Sequence, residues 1–134
     1  MAVLRDETRE VASSQDVVAV RQLAREWAVS LGFSLIDQTK IVTAASELAR
    51  NIVLYGGRGA VRIEALNDGA RRGLRLTFQD QGPGIPNLEE AMRDGFSTGS
   101  GLGLGLGGAK RLSSEFDIQS RVGEGTKVTI TRWK

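Results

Sequence analysis

Three short stretches carry the residue types that could do chemistry. In SELARN, Glu47 and Asn51 stand four residues apart, which puts a carboxylate and an amide on one helical face. The amide oxygen is a hard ligand suited to Mg²⁺ and the carboxylate can accept a hydroxyl proton, so the pair suits a metal-phosphate site. Taken alone, it also reads as a solvated pair on an exposed face. In DQGPGIP, Asp80 ends a run of alternating residues, Gly82 and Gly84 let backbone approach a flat ligand, and Pro83 and Pro86 stiffen the loop. An ionised Asp only accepts, which matches an exocyclic amino group such as that of adenine. A polar strand end followed by a turn is the plainer reading of the same residues.

The third stretch, GFSTGSGLGLGLGG, spans residues 95–108 and holds seven of the seventeen glycines. Glycine loses the most backbone entropy on folding, so such a run is either a spacer or a wrapper around a ligand. Gly103, Gly105 and Gly108 match G-x-G-x-x-G formally. That fingerprint belongs after the first strand of a βαβ unit, and here it follows an irregular loop. A dinucleotide fold is therefore rejected, and the absence of GxxxxGK[ST] removes a P-loop. A glycine-rich loop feeding a helix still offers N–H donors to phosphate. The regular interleaving of Leu102, Leu104 and Leu106 speaks against a simple linker.

Composition narrows the chemistry. The chain has no Cys and no His, which excludes disulfides, the usual zinc sites, cysteine nucleophiles and a Ser-His-Asp triad. With 18 Lys and Arg against 16 Asp and Glu, and only two Trp, one Tyr and four Phe, no basic, aromatic-rich stripe marks a nucleic-acid binder. Its 134 residues suit one domain spanning 1–134. No apolar run reaches membrane-spanning length and the first ten residues are too charged for a signal peptide, so the expected address is the cytoplasm, away from membranes.

The elements that must position these residues are legible from periodicity. Ser13 and Asp16 form a capping-box signal ahead of Val17, Val20, Leu23, Ala24, Trp27 and Leu31, a helix stopped at Gly32. Ser34 and Asp37 open a second helix carrying Ile36, Ile41, Ala44, Ala45, Leu48, Ile52 and Val53 until Gly56 and Gly57. The period then becomes two: Val61, Ile63 and Ala65, a turn at Asn67, Asp68 and Gly69, then Leu74, Leu76 and Phe78. FDIQSR, a GEG turn and TKVTITRW make a second hairpin. Residues 81–107 form an irregular segment of the kind used as a lid or binding loop, followed by a short helix over about residues 107–114. Helices before antiparallel strands predict an α+β sandwich, with helices on one face of a mixed, mostly antiparallel sheet.

In order and rough spacing, SELARN, DQGPGIP, GSGLGLGLGG and the late GEGT together resemble the ATP-binding motifs of the GHKL superfamily, which includes histidine kinases, gyrase, Hsp90 and MutL. The resemblance implies the Bergerat α/β sandwich, ATP and Mg²⁺ as cofactors, and Asn51 at the metal. It puts Asp80 at the adenine amino group, Gly82 and Gly84 beside the base, and Thr126 of GEGT as a second polar contact. Gly101, Leu102, Gly103, Leu104 and Gly105 would belong to an ATP lid that runs to Gly107. Across residues 8–134 the chain resembles the RsbT-like serine/threonine switch kinases of the stressosome, carried also by GAKRL followed by EF.

That resemblance implies ATP-dependent phosphorylation of Ser or Thr on a STAS-domain protein in a partner-switching pathway that controls a sigma factor. Glu47 would be the catalytic base, and a metal-dependent serine phosphatase would be a second partner. The alternative is an anti-sigma factor or activator that works mainly by docking. Phosphoryl transfer needs mostly positioning and charge neutralisation, which a site without Cys or His can supply.

Overall fold

A computed structural model describes residues 1–93 and 105–134. Ser13 starts the first helix, its side chain accepting from the Asp16 N–H at 3.3 Å while the Asp16 carboxylate accepts from the Ala12 N–H at 2.9 Å. This helix, α1 (Ser14–Ser30), buries Val17, Val20, Leu23, Ala24 and Trp27 as the spacing predicts. Ser34 caps α2 (Leu35–Asn51) in the same way, accepting from the Asp37 N–H at 3.2 Å. Ile36, expected on the buried stripe, is exposed, because it lies in the first turn before α2 reaches the core. Beyond Asn51 the helix widens into a π-helical turn (Ile52–Gly56) that the spacing does not announce.

Five strands form one sheet in the order β1-β2-β3-β5-β4. The two hairpins lie where alternation predicts them: β2 (Gly59–Asn67) with β3 (Arg72–Asp80), and β4 (Glu115–Arg121) with β5 (Gly125–Trp133). The edge strand β1 (Ala2–Val11) is an addition to the expected set. All four ladders are antiparallel, so the parallel component of the expected mixed sheet is absent among the described strands.

Among the described residues two short helices remain, α3 (Leu88–Ala91) and α4 (Gly105–Arg111). The second begins and ends slightly earlier than the sequence suggests. Helices α1 and α2 pack on one sheet face, where Trp27, Ile41 and Leu48 meet Val61, Ile63, Leu74, Leu76 and Ile130. On the other face Glu64 is nearly buried and accepts two hydrogen bonds from Arg75, at 2.9 and 3.0 Å. That paired contact holds the Arg75 guanidinium above its ordinary pKa. The architecture is the expected α+β sandwich, with α2, the π-helical turn and the ends of β3 and β5 converging at one end.

Candidate active site

A cavity of about 450 Å³ opens at that end. Its volume falls within the range of small-molecule sites. Asn51 reaches it from the end of α2, Asp80 from the end of β3 and Thr126 from the start of β5. Asp80 and Thr126 are direct partners in the β3–β5 ladder, so the strands bring them together although they are distant in sequence. Phe78, Ile85 and Val128 supply apolar wall. This combination of apolar wall with acceptors at one end suits a heteroaromatic base carrying an amino group.

Asp80 is held by its own turn, with Oδ1 accepting from the Gly82 N–H at 2.9 Å. Gly82 is not among the cavity-lining residues, and its close approach is to protein: a Cβ there would lie 2.6 Å from Gly56 Cα. Gly84 does line the cavity, and it has a second constraint, a φ of +78° with the Arg121 carbonyl oxygen 2.2 Å from where its Cβ would be. These glycines therefore let the loop after β3 close on the π-helical turn and on the β4–β5 turn. Further ties are the Gly123 N–H donating to the Pro83 carbonyl at 2.7 Å and the Ile85 N–H donating to Ser120 Oγ at 2.8 Å.

Glu47 lies one turn before Asn51, on the same face of α2, and is only 4% exposed. Its carboxylate pairs with Arg50 at 3.5 Å, and it does not line the cavity. Gly105 lines the cavity at the start of α4, beside Leu106. The expectations for Gly101, Leu102, Gly103 and Leu104 lie outside the described residues. Sequence reasoning missed Gly56, taken only as a helix stop, and Ser120, which no motif marks. Tyr55 and Leu54, half-exposed on the π-helical turn, also line the cavity.

Among the described residues, no group of three or more His, Cys, Asp or Glu side chains is placed to hold a metal. A cation here would rest on the Asn51 amide and on oxygens brought by a substrate and by water, a donor set that fits Mg²⁺. Likewise, no described helix is long and apolar enough to cross a membrane.

Residues 36–134 match the family model of the histidine kinase-, DNA gyrase B- and HSP90-like ATPases. The chain is 50% identical to the serine/threonine-protein kinase RsbT of Bacillus subtilis, over 92% of each chain. It is 31% identical to the anti-sigma F factor of Anoxybacillus flavithermus, covering 90% of this chain and 86% of that one. A crystal structure of RsbU and RsbW domains from Mycobacterium tuberculosis superposes with a TM-score of 0.68 at 24% identity, covering 97% of this chain and 33% of that chain. The chain therefore belongs to the histidine kinase-, DNA gyrase B- and HSP90-like ATPase family, as a serine/threonine-protein kinase of the RsbT kind.

Proposed function

We propose that this kinase transfers the γ-phosphoryl group of ATP to a Ser or Thr of a STAS-domain protein in a cytoplasmic, stressosome-type partner-switching pathway, with a metal-dependent serine phosphatase as a second partner. The observation that carries the reading is the cavity itself. Asp80 and Thr126 are paired on adjacent strands within it, and Asn51 enters from the helix that also bears Glu47. The 50% identity to RsbT supports the choice of a protein substrate.

In this reading Asp80 accepts from the adenine amino group, Thr126 makes the second polar contact at the base, and Gly82 and Gly84 shape the loop beside it. Mg²⁺, when bound, neutralises phosphate charge. Asn51 supplies its amide oxygen as the protein ligand. Gly105 and the preceding Gly101, Leu102, Gly103 and Leu104 belong to the segment assigned to the phosphates. Glu47 takes the proton of the substrate hydroxyl as its oxygen bonds to the γ-phosphorus and the bond to the β,γ-bridging oxygen breaks, releasing ADP.

The test is to incubate the protein with radiolabelled ATP, Mg²⁺ and candidate STAS domains. Label on a serine or threonine of the STAS domain is the expected result. Stable docking without label would move the weight to the second reading, a docking regulator, which the anti-sigma F relatives favour. At 100 times Kd, Mg-ATP should stabilise the fold by about 2.7 kcal/mol. A melting temperature indifferent to Mg-ATP would overturn the nucleotide site.

A further inference from the structure

Ser120 sits on β4 directly opposite Thr126, which is in turn opposite Asp80, so the three form one row across β4, β5 and β3. Its hydroxyl meets three groups. It accepts from the Ile85 N–H at 2.8 Å, lies 3.1 Å from the Gly125 carbonyl oxygen and 2.8 Å from the Thr126 hydroxyl oxygen. A serine hydroxyl has one proton and two lone pairs. The Gly125 carbonyl can only accept, so the Ser120 proton goes there. The Thr126 contact then closes only with Thr126 as donor. Thr126 has one proton to give and has given it to Ser120, so it turns lone pairs alone toward the cavity. Asp80 beside it, as a carboxylate, also only accepts, and its Oδ1 is already engaged by the Gly82 N–H.

We infer that Ser120 is a specificity-determining residue: by fixing Thr126 as an acceptor, it makes this row accept a purine nucleotide with an amino group at C6 and reject one with a carbonyl there. The inference rests on the nucleotide reading above and deepens it. An amino group brings two N–H donors to two acceptors. A C6 carbonyl meets lone pairs on both sides, and a polar group desolvated without a partner is what makes such sites selective. Ser120 does this without touching the ligand, through the proton it withholds from Thr126.

The test compares Mg-ATP with Mg-ITP, whose base differs in carrying a C6 carbonyl and an N1 proton, by calorimetric titration of wild type, Ser120→Ala and Thr126→Val. The wild type should prefer ATP. In Ser120→Ala the Thr126 hydroxyl is free to turn and donate to the carbonyl, so the ATP-to-ITP affinity ratio should fall by about tenfold, one hydrogen bond's worth. Losing the tether on Ile85 lowers both affinities alike and leaves the ratio untouched. An unchanged ratio with both affinities reduced would overturn the proposal and leave Ser120 a loop anchor. Should Ser120→Ala fail to fold, Thr126→Val removes the facing lone pairs at nearly constant volume. Its ratio should also fall, and an unchanged ratio overturns the proposal as well. A wild type that binds both nucleotides equally ends this inference alone, whereas one that binds neither ends the functional reading beneath it.

Discussion

Gly56 lies so close to Asp80 that a Cβ on it would come within 2.5 Å of the carboxyl carbon and 2.8 Å of Oδ2. The end of the π-helical turn is thus a wall against which the Asp80 side chain rests. Gly56→Ala forces that carboxylate to move, because a 2.5 Å contact with carbon cannot be absorbed in place. ATP affinity should fall by about tenfold, the value of one misplaced hydrogen bond, with the fold kept. Titration calorimetry checks this, and wild-type affinity would show that Asp80 is free to yield.

Asp80→Asn keeps the shape and the turn but adds an N–H donor where the base is expected to present its own. Loss of a charged hydrogen bond costs roughly 1.5 to 3 kcal/mol, or one to two decades in affinity. The variant should melt near the wild-type temperature without nucleotide and lose most of the shift that Mg-ATP gives. A full shift would remove Asp80 from base recognition.

Glu47→Gln separates binding from chemistry. The carboxylate stands apart from the cavity lining, so nucleotide affinity should change little, while loss of a general base lowers the transfer rate by about 10² to 10⁴. Single-turnover phosphorylation of the protein substrate reads this directly. A near-normal rate would take Glu47 out of the reaction and leave it a buried partner of Arg50.

Arg75→Met addresses the opposite sheet face. It strands the nearly buried Glu64, which keeps Arg62 at 3.7 Å as an ion-pair partner. Removing one side of a buried pair costs about 3 to 5 kcal/mol, and the surviving Arg62 contact together with the partial exposure of Arg75 brings the expectation down to about 2 kcal/mol. Denaturant unfolding should show that loss while ATP affinity stays unchanged, since these residues lie outside the cavity.

Both hairpins were legible because the face packed on the helices puts an apolar residue at every second position, and both long helices because Ser13 and Ser34 carry their capping partners three residues on. The strand β1 was not, since an exposed edge strand needs no apolar alternation. Its charged run, with Arg62 pairing to Asp6 and Arg58 to Glu10, is what discourages edge-to-edge pairing and also what hides it from a hydrophobicity pattern. Asn51, Asp80 and Thr126 were readable as motif residues, and the structure brings them to one cavity. Gly56 and Ser120 were not readable, because their roles exist only through contacts with residues remote in sequence. Ile36 shows the reverse failure, an apolar residue at helical spacing whose turn lies outside the core.

The row of Ser120, Thr126 and Asp80 has a kinetic consequence. It joins β3 to a hairpin that lies at the other end of the glycine-rich segment, so the cavity has no local precursor. Helices α1 and α2 and each hairpin can form from neighbouring residues, but the β3–β5 ladder must wait for a long loop to close, the slow kind of step in chain collapse. On the proposed reading, a freshly synthesised chain gains its affinity for nucleotide only once that ladder has closed, and occupancy of the cavity reports that β3 and β5 are paired.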